Sequence, residues 1–267
     1  MKMDRISKAI ELARGPAQGG AADSGKGGVR SIEYTHSTPL HVPRAVLEQH
    51  RLIAACDDGR VIDSYKLLRT RLLRRMQMNG WSTLGITSAT AREGKTLTAI
   101  NLGVSIAMSL DHTALLVDAD LRRPRVDSYF GCRDRPGLSD FLEGTISLEK
   151  VLVNPGNIAR FLVVPAGRLR QNSSELIASE RMRRLVSELK GRYPSRIVLF
   201  DLPPVLVGDD AIALAPELDA VLLVVQDSRT GRGEFARAVE LLEGVNVVGT
   251  VLNDSSERTK GYEAYYA

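Results

Sequence analysis

The sequence is short of several features that would place it in a class at once. No stretch of its 267 residues approaches the roughly 20 consecutive apolar residues of a membrane span, so membrane association is expected only through a partner or a surface contact. Its two cysteines, Cys56 and Cys132, are too few and too far apart for a disulfide framework, which suits a reducing cytosol. The stretch from Met1 to Ile10 lacks the continuous apolar core of a secretory signal. Aromatic residues make up 5%, and no basic run is interleaved with them or carries zinc-finger spacing, which leaves nucleic acid without support. No internal repeat is visible.

What is present supports one main domain. With 43% hydrophobic residues the chain can bury one substantial core and carry an appendage. The net charge of +4 comes mostly from arginines, grouped at Arg69, Arg71, Arg74 and Arg75, at Arg122, Arg123 and Arg125, and at Arg181, Arg183 and Arg184. Such groups are first solvated helix faces and second contacts to a nucleotide, an acidic partner or a membrane surface.

Ile6, Ala9, Ile10 and Ala13 can share one face of a short N-terminal helix. Residues 14–31, rich in Gly, Ala and Ser, read as a flexible linker. Ser24-Gly25-Lys26-Gly27-Gly28 within it imitates a phosphate loop, but no strand precedes it and no amphipathic helix follows. We therefore expect three parts: 1–56 as short helix plus linker, 57–252 as the folded domain, and 253–267 as a tail.

The domain should open on a helix over 57–76, from the spacing of Val61, Ile62, Tyr65, Leu68 and Leu72. Apolar runs then predict strands at 84–88, 113–118, 161–165, 196–201, 219–225 and 246–252. Helices are predicted at 95–109, 174–190, 209–215 and 231–243, with a loop entering a short helix at 137–142. This alternation predicts an α/β fold, a mainly parallel sheet with helices on both faces.

The chemistry is concentrated between the first two of these core elements. Ile86-Thr87-Ser88-Ala89-Thr90-Ala91-Arg92-Glu93-Gly94-Lys95-Thr96 has the tail of a phosphate-binding loop. Gly94 lets backbone amides approach phosphates, Lys95 supplies a charge for the β and γ oxygens, and the Thr96 hydroxyl can ligate Mg²⁺. Residues Arg92 to Leu97 are thus the candidate nucleotide contacts. The general pattern wants a glycine at position 89, where this chain has Ala89. Two further strands end in acid, Ala114 to Val117 running into Asp118-Ala119-Asp120 and Ile197 to Phe200 into Asp201-Leu202-Pro203-Pro204. In an open parallel sheet such ends converge on one ligand site. A lone aspartate there could simply cap a turn, but the coordinated set favours Mg²⁺ held by Thr96, Asp120 and Asp201. Past Leu252 the chain loses apolar periodicity, and three of its seven tyrosines, Tyr262, Tyr265 and Tyr266, fall in the last six residues. An aromatic cluster on a polar terminal segment is unsuited to a core.

The loop, the segment Leu115 to Pro124, the Asp201-Leu202-Pro203-Pro204 motif and the tyrosine tail together resemble the bacterial tyrosine kinases, autokinases of capsular and extracellular polysaccharide systems. The similarity covers about residues 60–267. Pro165-Ala166-Gly167 and Asn172 to Leu176 also look like family segments, and Met3 to Ile10 is similar to the soluble subgroup associated with exosortase loci. The resemblance implies a P-loop fold and transfer of the ATP γ-phosphoryl group to Tyr262, Tyr265 and Tyr266. It also implies Asp118 as proton acceptor and Arg122 as an aid to charge neutralisation, beside Lys95 and Asp120. It implies a ring of subunits held by an acid and two arginines at three-residue intervals; this chain has Asp63, Lys66 and Arg69, and a lysine cannot make arginine's bidentate contact. It further implies an activating membrane partner that controls polysaccharide chain length, an opposing tyrosine phosphatase, and a cytoplasmic position at the inner face of the membrane. The related division-site and partition ATPases share the fold and the paired aspartates but carry an extra lysine where this chain has Thr90. A non-kinase ATPase switch that recruits a membrane partner is the alternative. Arg92 departs from the Pro-Gly that is usual in the kinases around this part of the loop.

Overall fold

A computed structural model describes residues 37–155, 157–191 and 195–255. The expected N-terminal helix, the Gly-rich linker and the three tail tyrosines lie outside these residues. Described elements run in the order β1 (Thr38–Leu40), α1 (Arg44–Gln49), a 3-10 turn (Ile53–Ala55), α2 (Gly59–Asn79), β2 (Thr83–Ser88), α3 (Lys95–Ala107) and β3 (Thr113–Asp118). Then come α4 (Val126–Phe130), α5 (Leu138–Leu142), α6 (Leu148–Val151), β4 (Val153–Pro155), β5 (Phe161–Val164), α7 (Ser173–Ile177), α8 (Glu180–Gly191) and β6 (Arg196–Asp201). The last are α9 (Asp210–Leu214), a 3-10 turn (Ala215–Glu217), β7 (Ala220–Gln226), α10 (Arg232–Leu241) and β8 (Val247–Asn253).

The eight strands form one sheet in the order β1-β4-β5-β3-β6-β2-β7-β8. All neighbouring pairs are parallel except β4 with β5. Strands covered on both faces need continuous apolar sequence, and Leu115 to Val117, Ile197 to Phe200 and Val221 to Val224 supply it. One face packs on α3 through Ile100, Leu102, Val104 and Ile106. The other packs on α8 through Met182, Leu185, Val186 and Leu189. Outside α3 lies α2, which buries Leu72 and Met76, starts on the Asp58 carboxylate accepting from Arg60 N, and stops at Gly80 in the left-handed region.

The six core strands appear within two residues of their expected bounds. The helix expected over 174–190 is two helices, because the Ser179 hydroxyl accepts from Met182 N at 3.2 Å and starts α8 anew. Residues 38–55 are integrated into the core, with Val42, Leu47, Leu52 and Ile53 buried. Their anchor is Asn101 on α3, which accepts from Ile53 N at 2.9 Å and donates to Arg51 O at 3.2 Å.

Candidate active site

The loop between β2 and α3 is built around Gly94, whose φ of 91° opens the turn into α3. A Cβ there would meet Asn253 Nδ2 at 2.0 Å, so that close approach also requires glycine. Glu93, expected among the nucleotide contacts, is fully buried and turned away from the cleft. Its carboxylate accepts from Thr90 N and Thr90 Oγ1 at 3.2 and 2.8 Å and from Thr230 Oγ1 at 2.7 Å, while its carbonyl accepts from Asn253 Nδ2 at 3.0 Å. Glu93 thereby fixes the loop's shape against the ends of β7 and β8. Arg92, Gly94, Lys95, Thr96 and Leu97 all line a cleft of about 630 Å³.

Parallel strands β2, β3 and β6 are neighbours in the sheet, so their carboxyl ends bring the separated motifs together. Lys95 Nζ sits 2.9 Å from Asp120 Oδ2 and 3.3 Å from Asp201 Oδ1. Thr96 Oγ1 donates to Asp201 Oδ2 at 2.7 Å. Asp118 and Asp201 are wholly buried, and Asp120 is 4% exposed and lines the cleft. Burial opposes the Lys95 ammonium, yet Asp201, Asp120 and Asp118 outweigh it and push its pKa up to about 12. Burial also lifts both inner carboxyls. Asp118 stands well above the ordinary range, raised further by the charge of Asp201, while Lys95 and Thr96 partly restrain Asp201.

Asp118 has a second engagement. Its Oδ1 accepts from Asp120 N at 3.2 Å, and its Oδ2 accepts from Arg125 N and Val126 N at 3.3 and 3.1 Å. It therefore shapes the loop after β3 from beneath. Arg122 lines the cleft but is held by acids that the sequence did not suggest. Its Nε is 2.7 Å from buried Asp210 Oδ2 and donates to Ser173 Oγ at 2.9 Å, and its Nη2 is 3.1 Å from Asp209 Oδ1. Two adjacent aspartates beginning a helix beyond Pro203-Pro204 were the available signal. Tyr129 was also missed; it lines the cleft and packs on His50, ring centroids 4.8 Å apart.

The residues present suit a magnesium-bound nucleotide. Two buried carboxylates, Asp120 and Asp201, face one lysine, which leaves negative charge that a divalent cation would offset. Among the described residues no three His, Cys, Asp or Glu side chains form a closed metal cluster. Mg²⁺ usually takes one or two protein carboxylates and completes its shell with water and substrate phosphate.

The expected ring-forming residues lie on α2 and do not line the cleft. Lys66 Nζ pairs with Asp63 Oδ1 at 3.0 Å on the same helix, and Arg69 Nη1 donates to Ser105 O of α3 at 2.7 Å.

Known proteins decide the family. The chain is 33% identical to the tyrosine-protein kinase Etk of Escherichia coli K12 over 206 residues, 76% of this chain and 28% of Etk. It belongs to the bacterial tyrosine kinase family. It is also 27% identical to the tyrosine-protein kinase Ptk of Acinetobacter johnsonii over 95% of this chain and 36% of that protein. The chain thus spans about a third of the length of these curated relatives. The solved kinase domain of Escherichia coli Etk superposes with a TM-score of 0.70 at 30% identity, covering 82% of this chain and 84% of that one. The cell-division ATPase MinD of Pyrococcus furiosus shares the fold at TM-score 0.54 and 21% identity, over 68% of this chain and 78% of that one. No protein-family model matches the chain.

Proposed function

We propose that this bacterial tyrosine kinase chain transfers the γ-phosphoryl group of ATP, with Mg²⁺, to its own Tyr262, Tyr265 and Tyr266, and thereby regulates exopolysaccharide or capsule synthesis and export. The observation that carries the reading is the convergence of Lys95, Thr96, Asp120 and Asp201 from three adjacent strand ends on one cleft. Phosphoryl transfer asks a protein mainly for positioning and charge neutralisation, and this set supplies both.

In the reaction a tyrosine oxygen bonds to the γ-phosphorus, the bond to the bridging oxygen breaks, and ADP leaves. Lys95 and the amides of residues 94–96 hold the β and γ phosphates, as a helix N-terminus does for anions. Mg²⁺, when bound to Thr96, Asp120 and Asp201, supplies further neutralisation of phosphate charge. A tyrosine hydroxyl has an ordinary pKa near 10, so its proton needs an acceptor. Asp118 is that acceptor by family resemblance.

Among the described residues no helix is long and apolar enough to cross a membrane. By family resemblance, the kinase acts at the inner membrane face through a membrane co-polymerase that activates it, with a tyrosine phosphatase resetting the tail. The test is incubation of the purified chain, with and without that partner's cytoplasmic segment, in labelled ATP and Mg²⁺. Label should appear on phosphotyrosine, vanish in Lys95→Met, and fall by most of its amount when Tyr262, Tyr265 and Tyr266 become Phe. Hydrolysis of ATP with no phosphotyrosine under either condition would instead establish a nucleotide switch.

A further inference from the structure

The cleft is one-sided. Its walls come from residues 91–97, from the loop after β3 with Tyr129, and from Pro203 to Asp210; neither β7 nor β8 contributes a lining residue. On the β7 and β8 side the phosphate loop is already covered, by Thr230 on the Glu93 carboxylate and Asn253 on the Glu93 carbonyl. The open volume stands on the β3 side, beside Asp120. It gives a second substrate an open route to the terminal phosphate.

The three arginines of that wall are unequal. Arg122 is neutralised by Asp209 and Asp210. Arg123 and Arg125 are exposed and line the cleft, and among the described residues neither guanidinium has an ion pair or a hydrogen bond; their bonds are made by the backbone, N–H to Asp120 and Asp118 and the Arg125 carbonyl accepting from Ser128. Arg92 is also unpaired, but it belongs to the phosphate loop and stands with the nucleotide. Two uncommitted guanidiniums at the mouth favour an incoming peptide that brings its own carboxylate. The last seven residues of the sequence contain one charged side chain, Glu263, directly after Tyr262.

We propose that Arg123 and Arg125 form an acceptor subsite that selects a tyrosine followed by an acidic residue, and that Tyr262 with Glu263 is the preferred acceptor of this chain. This rests on the kinase reading. It ranks the tail tyrosines, because Tyr265 and Tyr266 have no acidic residue after them.

The test separates binding from transfer. Labelled peptides Thr-Lys-Gly-Phe-Glu-Ala, with Glu, Gln or Lys at the acidic position, are titrated onto the full chain with Mg²⁺ and a non-hydrolysable ATP analogue. Their tyrosine counterparts are then assayed as substrates with ATP. The Gln peptide should bind about tenfold more weakly than the Glu peptide, the usual scale of one charge-assisted contact, and the Lys peptide more weakly still. The double variant R123Q/R125Q should bind the Glu and Gln peptides about equally, with the affinity for Mg²⁺ and the analogue reduced less than that for the Glu peptide. Equal binding of the Glu and Gln peptides to the starting chain overturns the subsite. So does a double variant that loses all peptides and the nucleotide alike, because the arginines then serve phosphate. Glu-selective binding without transfer of phosphate to any tyrosine counterpart, in the presence of the activating partner's cytoplasmic segment, would keep the subsite and reject the kinase reading instead.

Discussion

Asp118 and Asp120 are two residues apart and meet different surroundings, so one substitution should separate their roles. Asp118 offers both oxygens to amide N–H groups inside the protein, whereas Asp120 faces the cleft and Lys95. Asp118→Asn turns an N–H₂ toward at least one buried N–H donor. It should cost about 1–3 kcal/mol of stability as well as phosphoryl transfer. Asp120→Asn keeps an oxygen for Arg123 N but removes the carboxylate that faces Lys95 and the cleft, so it should cut transfer at least about tenfold with the smaller loss of stability of the two. Thermal melts beside labelling assays distinguish the two, and equal loss of stability would contradict this division. Asp219 offers a pH-dependent counterpart far from the chemistry. Burial opposes its charge, but Ser82 N, the Lys190 ammonium, Thr83 N and the Thr83 hydroxyl hold its pKa below the usual value. A depressed folded-state pKa stabilises above the unfolded value and is lost as pH falls through the folded one. The stability difference between the wild type and Asp219→Asn, about 1–2 kcal/mol, should stay level from neutrality to about pH 4 and shrink below it in urea titrations.

At the scale of elements, α5 is fixed by an approach that only glycine allows. A Cβ on Gly137 would lie 2.2 Å from both Gly167 N and Pro165 O, where Leu138 N and Ser139 N donate to Pro165 O and Ala166 O at 2.8 and 2.9 Å. Gly137→Ala should therefore cost about 1–3 kcal/mol, as overpacking does. Gly191→Ala, with nothing within 4 Å of the added carbon, should change stability by about 0.5 kcal/mol or less. Denaturant midpoints of the two variants test the contrast. The same contrast between local and distant causes explains what could be read in advance. Strands β3, β6 and β7 announce themselves because burial on both faces demands unbroken apolar runs, β2 shows only the short Leu84-Gly85-Ile86 core before the phosphate loop, and the acids closing β3 and β6 mark the site. Strands β1 and β4, three residues each, are too short for any period to show. The break between α7 and α8 carried a signal, Ser179 before Glu180, that an apolar pattern spanning both helices concealed. The hold of Asp209 and Asp210 on Arg122 depends on a pairing 87 and 88 positions apart, which only the folded sheet reveals.

For the whole molecule, the question is whether donor and acceptor belong to one chain or two. Tyr262 follows the end of β8 at Asn253 by nine positions, a span of at most about 30 Å when fully extended, so the geometry of the chain permits either route. The residues expected to join subunits are engaged within the chain: Lys66 holds Asp63, and Arg69 holds α3. The Lys66 end of its pair with Asp63 is exposed, and such pairs contribute little, so the ammonium can be redirected to a neighbour at small cost. Arg69 is anchored to a backbone carbonyl and cannot leave without exposing it. An assembly through α2 should accordingly be weak and salt-sensitive: Lys66→Arg, by restoring a planar bidentate donor, should raise the oligomer fraction in sedimentation, and added salt should lower it. Transfer follows the same logic and can be read directly by mixing two inactive halves, a Lys95→Met chain with an intact tail and a chain ending after residue 255 with an intact site. Label on the longer chain means that the phosphoryl group crosses between subunits, and its yield should rise with protein concentration and with Lys66→Arg in both chains. An unlabelled mixture, beside an intact chain whose labelling rate per molecule is independent of concentration, would place donor and acceptor on the same molecule.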